Sequence, residues 1–214
     1  GRAVAYVFDG LVRFTPDARV VPALAERWDV SSDGTVYTFH LRRGVRFHDG
    51  TPFVARHVVQ SFERVLDPAE RGGRGWPLYP IQGAREYSGQ GGIRGLSAPD
   101  DSTVVIRLTE PLAIFTKLLA MPVAAIVPDS IPANFGEHPV GTGPWKLVRW
   151  EHDDYLLFAW YDEYWGGAAR SAHSAVRSTA PRMTSAGDGS GGHTSSTIWM
   201  SLPSCTCTST APSG

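Results

Sequence analysis

The sequence predicts a mixed α+β (α/β) fold, in which strands and helices follow one another without a regular strand–helix–strand rhythm. Two observations support this class. Stretches of alternating apolar and polar residues indicate strands, and a stripe of apolar residues at helical spacing indicates a helix. Stretches rich in Gly and Pro separate these elements and predict turns and irregular connections.

The composition supports a hydrophobic core and argues against two classes of protein. Hydrophobic residues make up 42% of the 214 residues, and aromatic residues make up 11%. Twenty basic and 21 acidic side chains give a formal net charge of −1, which argues against nucleic-acid binding. No apolar run approaches the ~18–20 residues that a membrane-spanning helix requires.

A hairpin is predicted near the N-terminus. Residues 3–14 predict a short helix or strand that leads into a turn at 15–17. Residues 31–34, Ser-Ser-Asp-Gly, are a turn signal, so the strand predicted at 35–41 pairs with residues 27–31. The apolar face of that strand consists of Tyr37, Phe39 and Leu41.

A helix is predicted at 53–66, with Thr51 as its N-cap and Pro52 in its first turn. Asp67-Pro68 ends it. Its apolar stripe consists of Val54, Val58, Phe62, Val65 and Leu66. The elements predicted after a Gly-rich loop are a strand at 103–108, a helix at 112–120, an irregular connection at 121–140, and a hairpin of strands 145–150 and 155–160.

The composition changes abruptly after Gly167. Ser and Thr make up 18 of the 47 residues of 168–214, which hold both cysteines, Cys205 and Cys207, and few large apolar residues. We therefore expect this segment to be disordered or foreign to the fold. Because the chain also begins inside an apolar pattern, we expect it to be a truncated piece of a longer protein, with a frame shift or a truncated gene as a hypothesis.

Three histidines raise the question of a metal site. His40, His48 and His57 lie close in sequence, together with Asp49. We favour a turn cap and solvent-exposed histidines, because metal ligation requires these side chains to converge. A metal-dependent enzyme that uses the three histidines is retained as an alternative, and no metal or other cofactor is predicted.

Two further segments could carry function. Trp76 and Tyr79 lie in the Gly-rich loop, where a Trp either packs over the core or is exposed as a platform for a ligand. The segment Gly141-Thr142-Gly143-Pro144 resembles the start of a phosphate loop but lacks the third Gly, and Pro144 has no N–H. We interpret it as a tight backbone crossing or a hinge.

Three ordered motifs resemble one family. The run LAERWDVSSDGTVYTFHLRRGVRFHDGTPF at 24–53 is similar to the signature region of family 5 extracellular solute-binding proteins, the dipeptide-, oligopeptide- and nickel-binding receptors of ABC importers. Residues 95–111 resemble the middle segment of that family. Residues 139–145, PVGTGPW, with Tyr-Trp-Gly-Gly at 164–167, resemble its "GTGPY … YWGG" segment. The family usually has an acidic pair just after the Thr-Pro helix start, and this sequence has Arg56-His57 at that position.

The resemblance implies part of a type II periplasmic-binding-protein fold. Residues 1–19 and 140–167 would form part of the first lobe, and 20–139 a small accessory α+β domain. Trp76 and Tyr79 would contact the ligand. Asp9, which replaces a usual Glu before Gly-Leu-Val, is a further ligand-binding candidate. Gly141, Thr142, Gly143 and Pro144 would form the hinge where the chain returns to the first lobe.

The resemblance also implies a function. The chain would belong to the substrate-binding component of an ABC importer, a protein without enzymatic activity that captures a peptide or a similar small solute for a membrane permease. It would act in the periplasm, or outside the cell and anchored to the membrane in Gram-positive bacteria. Because one wall of the cleft would be missing, we expect weak or absent solute binding. A carbohydrate-binding module with exposed tryptophans remains a second alternative, and the solute stays open.

Overall fold

A computed structural model describes residues 4–69, 74–151, 155–167 and 173–177. The described residues belong to one compact unit. Its elements are α1 (Val4–Val7), β1 (Val12–Phe14), β2 (Val20–Pro22), β3 (Ala25–Val30), β4 (Val36–Leu41), α2 (Ala55–Leu66), β5 (Leu96–Asp100), β6 (Thr103–Arg107), α3 (Phe115–Leu119), β7 (Trp145–Glu151), β8 (Tyr155–Trp160) and β9 (His173–Arg177). Two short 3₁₀ turns lie at Trp76–Leu78 and Pro122–Ala124.

The central element is an antiparallel sheet of four strands in the order β3-β4-β6-β5. It contains the predicted hairpin, in which Trp28 lies opposite Phe39. Along β4 the side chains alternate between buried and half-buried, as the sequence predicts. Strand β6 contributes Val104 and Ile106 to the core, and α2 packs against β5 and β6. This sheet and α2 therefore build the main hydrophobic core.

Strand β5 is absent from the sequence-based prediction. It contains Pro99 and has a register irregularity between Ser97 and Asp100, so it lacks the alternation that identifies a strand. It lies at the edge of the sheet, where a proline is tolerated because one side of the strand has no neighbour.

Helix α2 begins at Ala55 with Val54 as its N-cap, two residues later than predicted. Thr51 does not cap the helix, because its amide and its hydroxyl both donate to Asp49 Oδ1, at 2.9 and 2.7 Å. Pro52 instead forms an isolated bridge with Arg46. The carboxylate of Asp49 thus holds Thr51 in the preceding turn.

Helix α3 is shorter than the predicted 112–120 and ends at Leu119. Leu112 lies in a turn before the helix, and its carbonyl accepts a hydrogen bond from the Tyr37 hydroxyl at 3.1 Å. No helix in the described ranges is long and apolar enough to cross a membrane.

The second sheet has three antiparallel strands in the order β7-β8-β9. The predicted hairpin is present, with a bulge between Leu147 and Arg149. Strand β9 pairs with β8 although it lies in the segment predicted to be disordered or foreign to the fold. The pairing argues against disorder at residues 173–177, whereas a segment foreign to the fold stays a prediction. Backbone groups at the open side of β8 can pair with a strand of almost any composition. Residues 178–214, including both cysteines, lie outside the described residues.

Candidate functional site

Asp9 lies between α1 and β1 and is only 8% exposed. Its Oδ2 accepts a hydrogen bond from the indole Nε1 of Trp165 at 2.9 Å, and its carbonyl accepts one from the amide of Ile126 at 3.0 Å. Burial raises the pKa of Asp9 to about 6, while the bond from Trp165 and the charge of Arg13 oppose that rise. The carboxyl group is therefore held in place and is close to its titration point near neutral pH.

Trp165 is surrounded by cationic and aromatic side chains. The guanidinium of Arg42 lies 4.6 Å from the centre of the Trp165 ring, and that of Arg13 lies 5.9 Å away. Arg42 is fixed by a bond of 2.6 Å from its Nε to the carbonyl of Ala23. The ring of Tyr164 lies 5.1 Å from that of Trp165, and burial raises the pKa of Tyr164 to about 12.

A cavity of about 420 Å³ adjoins Asp9. Its lining combines apolar side chains with a carboxyl, a guanidinium and a phenol, and includes Phe8, Asp9, Arg13, Met121, Pro122 and Tyr164. This volume lies within the range of small-molecule sites, about 300–1,000 Å³. The cavity can therefore accommodate a small solute and offer it both charged and apolar contacts.

Trp76 and Tyr79 do not line this cavity. Trp76 is 52% exposed in the first 3₁₀ turn, which packs against α3. Tyr79 is half-buried against the core, and the guanidinium of Arg85 lies 4.9 Å from its ring centre. Leu119, at the end of α3, lines the Asp9 cavity. The three predicted ligand-binding residues therefore do not share one cavity. The turn of Trp76 and the Asp9 cavity both adjoin α3.

Sequence reasoning missed the contact between Trp165 and Asp9. Trp165 lies in the turn that follows β8, outside the predicted hairpin. The two residues are 156 positions apart, so no local pattern could join them. The usable signal was the Tyr-Trp-Gly-Gly motif at 164–167, which lies beyond the strand alternation.

The segment Gly141–Pro144 crosses the backbone of residues 6–8 in close contact. A Cβ atom at Gly141 would overlap the carbonyl oxygen of Val7, and one at Gly143 would lie 2.6 Å from the carbonyl oxygen of Tyr6. The amide of Gly143 donates to Val7 at 2.9 Å. Thr142 is fully buried, and its hydroxyl has no hydrogen-bond partner among the described residues. The tight crossing is therefore present, and its movement as a hinge stays a prediction.

The three histidines do not converge, so the alternative of a histidine-based metal enzyme loses its site. His40 Nε2 lies 2.8 Å from Asp29 Oδ2, and His48 Nε2 lies 2.8 Å from the carbonyl oxygen of Gly143. Within the described ranges, no three His, Cys, Asp or Glu side chains could hold a metal ion.

His57 is not solvent-exposed as predicted but only 4% exposed. Its Nδ1 accepts from the amide of Val54 at 3.0 Å, so the imidazole caps α2 at the position where a Glu or Gln often stands. Its Nε2 lies 3.1 Å from Asp129, which also pairs with Arg56. Burial lowers the pKa of His57. Asp129 thus provides the negative charge that this helix start lacks.

The comparisons with known proteins agree with the resemblance described from the motifs. Residues 19–186 match the family model of bacterial extracellular solute-binding proteins, family 5 Middle. The glutathione-binding protein GsiB of Pectobacterium atrosepticum is 34% identical over 162 residues, which are 74% of this chain and 29% of GsiB. The chain spans about a third of the length of the curated relatives it matches.

Solved structures show the same fold. The substrate-binding domain of an oligopeptide ABC transporter from Bacillus anthracis superposes with a TM-score of 0.71 and 26% identity over 77% of this chain and 34% of that chain. NikZ from Campylobacter jejuni, in complex with Ni(L-His), gives a TM-score of 0.70 and 27% identity over 81% and 34%. The predicted mixed α/β class, as part of a type II periplasmic-binding-protein fold, is confirmed. The chain belongs to family 5 of the bacterial extracellular solute-binding proteins.

Proposed function

We propose that this chain is part of the substrate-binding component of an ABC importer and contributes one wall of its solute site. It binds a peptide or a similar small solute outside the cytoplasmic membrane, either in the periplasm or at the outer face of a Gram-positive cell, and presents it to a membrane permease. The chain is not an enzyme. The observation that carries this proposal is the buried carboxyl of Asp9, oriented by Trp165 at the wall of the 420 Å³ cavity.

The chemistry of the wall favours a solute with a cationic and an apolar part. Asp9 can pair with an ammonium group, while Phe8 and Met121 offer apolar contacts. Arg13, which also lines the cavity, offers a guanidinium to a carboxylate. A small peptide carries all three features. GsiB and the oligopeptide receptor bind related molecules according to their names, which supports a peptide before other solutes.

The domain division is part of the same proposal. Residues 1–19 and 140–167 form part of the first lobe, and 20–139 form the accessory domain. The crossing at Gly141–Pro144 is the hinge where the chain returns from the accessory domain to the first lobe. Exposed Trp76 contributes a second contact surface beside α3.

The indole N–H of Trp165 is the most direct reporter of solute binding. Titrating the full chain with dipeptides, glutathione and Ni(L-His), we expect saturable NMR shifts of the Trp165 indole with the peptides. Because the chain supplies one wall, we expect dissociation constants of about 1 mM. Asp9→Asn should weaken binding about tenfold, or about 1.4 kcal/mol.

Asp17→Asn is the matched control, because Asp17 is exposed and pairs with the exposed side chain of Arg19. The proposal fails if no solute shifts the Trp165 indole, or if Asp9→Asn and Asp17→Asn bind equally well. A response to Ni(L-His) alone would replace the peptide with a metal complex as the solute.

A further inference from the structure

His48 contacts the crossing segment with both of its ring nitrogens. Its Nε2 lies 2.8 Å from the carbonyl oxygen of Gly143, and its Nδ1 lies 3.4 Å from the amide nitrogen of Gly141. The backbone of His48 adds a third bond, from its amide to the carbonyl of Gly141 at 2.9 Å. The turn between β4 and α2 therefore holds the segment that leads into β7.

These partners define the protonation state of the imidazole. A carbonyl only accepts, so Nε2 must carry a hydrogen, whereas the Gly141 amide donates, so Nδ1 must present its lone pair. The neutral Nε2–H tautomer alone satisfies both partners. A proton on Nδ1 would point at the Gly141 N–H and break that bond.

The surroundings of His48 favour the neutral form. The ring of Tyr161 lies edge-on at 5.0 Å, and the Tyr161 hydroxyl donates to the carbonyl of Phe47 at 2.9 Å. The ammonium of Lys146 lies 4.2 Å from the Tyr161 ring centre and disfavours a second positive charge. Asp49, in the same turn, is the acidic group that opposes it. Burial lowers the pKa of His48 to about 4.

We propose that His48 is a positioning residue that clamps the crossing segment Gly141–Pro144 in its neutral form and releases it when protonated. The clamp fixes the path of the chain into β7 and, through Tyr161, the turn that carries Trp165 to Asp9. That the clamp controls movement at the hinge rests on the proposed function. The clamp itself is measured without any solute.

The test is amide hydrogen exchange and imidazole NMR on the full chain. At neutral pH, His48 should show the Nε2–H tautomer. The protection factor of the Gly141 amide should fall on acidification with the same midpoint as the His48 imidazole, well below pH 6.5, while that of Phe39 in β4 stays constant. His48→Gln should lower Gly141 protection about tenfold at pH 7 without changing Phe39.

His138→Gln is the matched control, because His138 is exposed. Equal Gly141 protection in the wild-type chain and His48→Gln would overturn the clamp. Should His48→Gln unfold the whole chain, the wild-type titration decides: an Nδ1–H tautomer, or Gly141 protection independent of the His48 midpoint, would also overturn it. The Trp165 indole can report solute binding or its absence whether or not the clamp exists. The two proposals therefore fail separately.

Discussion

The two sheets differ in how completely their side chains are covered. In the four-stranded sheet, the inward side chains of β4 and β6 are buried, and α2 packs against β5 and β6. In the three-stranded sheet, Phe158 is the one buried side chain among the described residues of β7 and β8, and Val148 and Trp150 are 55% and 41% exposed. Alternation therefore predicts a strand, but a second element must cover the sheet before that strand contributes fully to stability.

The segment that follows the less covered sheet nevertheless reaches the candidate site and the turn before α2. Tyr161 and Trp165 both follow β8, and they contact Phe47 and Asp9 respectively. The four-stranded sheet supplies a packed base, and the segment after the three-stranded sheet supplies Tyr161 and Trp165. These two contacts, together with the crossing before β7, attach the three-stranded sheet to the rest of the described chain.

The largest effect should come from breaking that attachment. Gly141→Ala places a methyl group on the Val7 carbonyl, where backbone cannot move aside cheaply. We expect a loss of about 4 kcal/mol in the free energy of unfolding, measured with urea. Gly136→Ala is the control, because a Cβ there meets nothing within 4 Å, and it should leave stability almost unchanged. Equal effects of the two substitutions would contradict the tight crossing.

The next substitution compares the sheets directly with one type of side chain. Val104 in β6 is fully buried, and Val148 in β7 is exposed. Val104→Ala should cost about 2–3 kcal/mol of unfolding free energy, because it removes buried methyl groups and leaves a cavity. Val148→Ala should cost less than about 0.5 kcal/mol. If both lose the same amount in urea unfolding, the second sheet is covered as well as the first.

The smallest effect is the pH dependence of the stability of the wild-type chain. It separates the contributions of Asp9 and His48. Burial raises the pKa of Asp9 from 3.8 to about 6, so its contribution to stability is lost as pH rises through that range. Burial lowers the pKa of His48 from 6.5 to about 4, so its contribution is lost as pH falls through that range. Between about pH 4 and 6 the two contributions oppose each other, and the stability contributed by this pair should be nearly flat.

Single substitutions reveal the two opposing slopes. Relative to the wild-type chain, Asp9→Asn should gain stability as pH rises from 4 to 6, and His48→Gln should lose it. Each slope should reach at most about 1.4 kcal/mol per pH unit. The measurement is urea unfolding at several pH values. Parallel pH profiles of the wild-type chain and both variants would show that Asp9 and His48 do not make opposing contributions to stability.

The sequence predicted the features that depend on local pattern. Strand β4 and the β7–β8 hairpin follow from alternation, and the crossing follows from two glycines around a buried Thr. Local pattern failed where a competing side chain intervened: Thr51 is a good N-cap, but Asp49 binds it first. Local pattern also failed for long-range contacts. The Asp9–Trp165 bond and the His48–Gly143 bond join residues that are far apart in sequence, so no pattern of neighbouring residues predicts them.

The crossing also sets an order of events during synthesis. Val7 and Gly143 are 136 positions apart, yet the carbonyl of Val7 is covered by the amide of Gly143. At about 5–20 residues per second, a ribosome would need roughly 7–27 s to complete the later segment. Until then, the Val7 carbonyl lacks the partner that Gly143 provides in the folded chain. The contacts of residues 6–8 with the crossing are therefore completed only after the intervening 135 residues have been made.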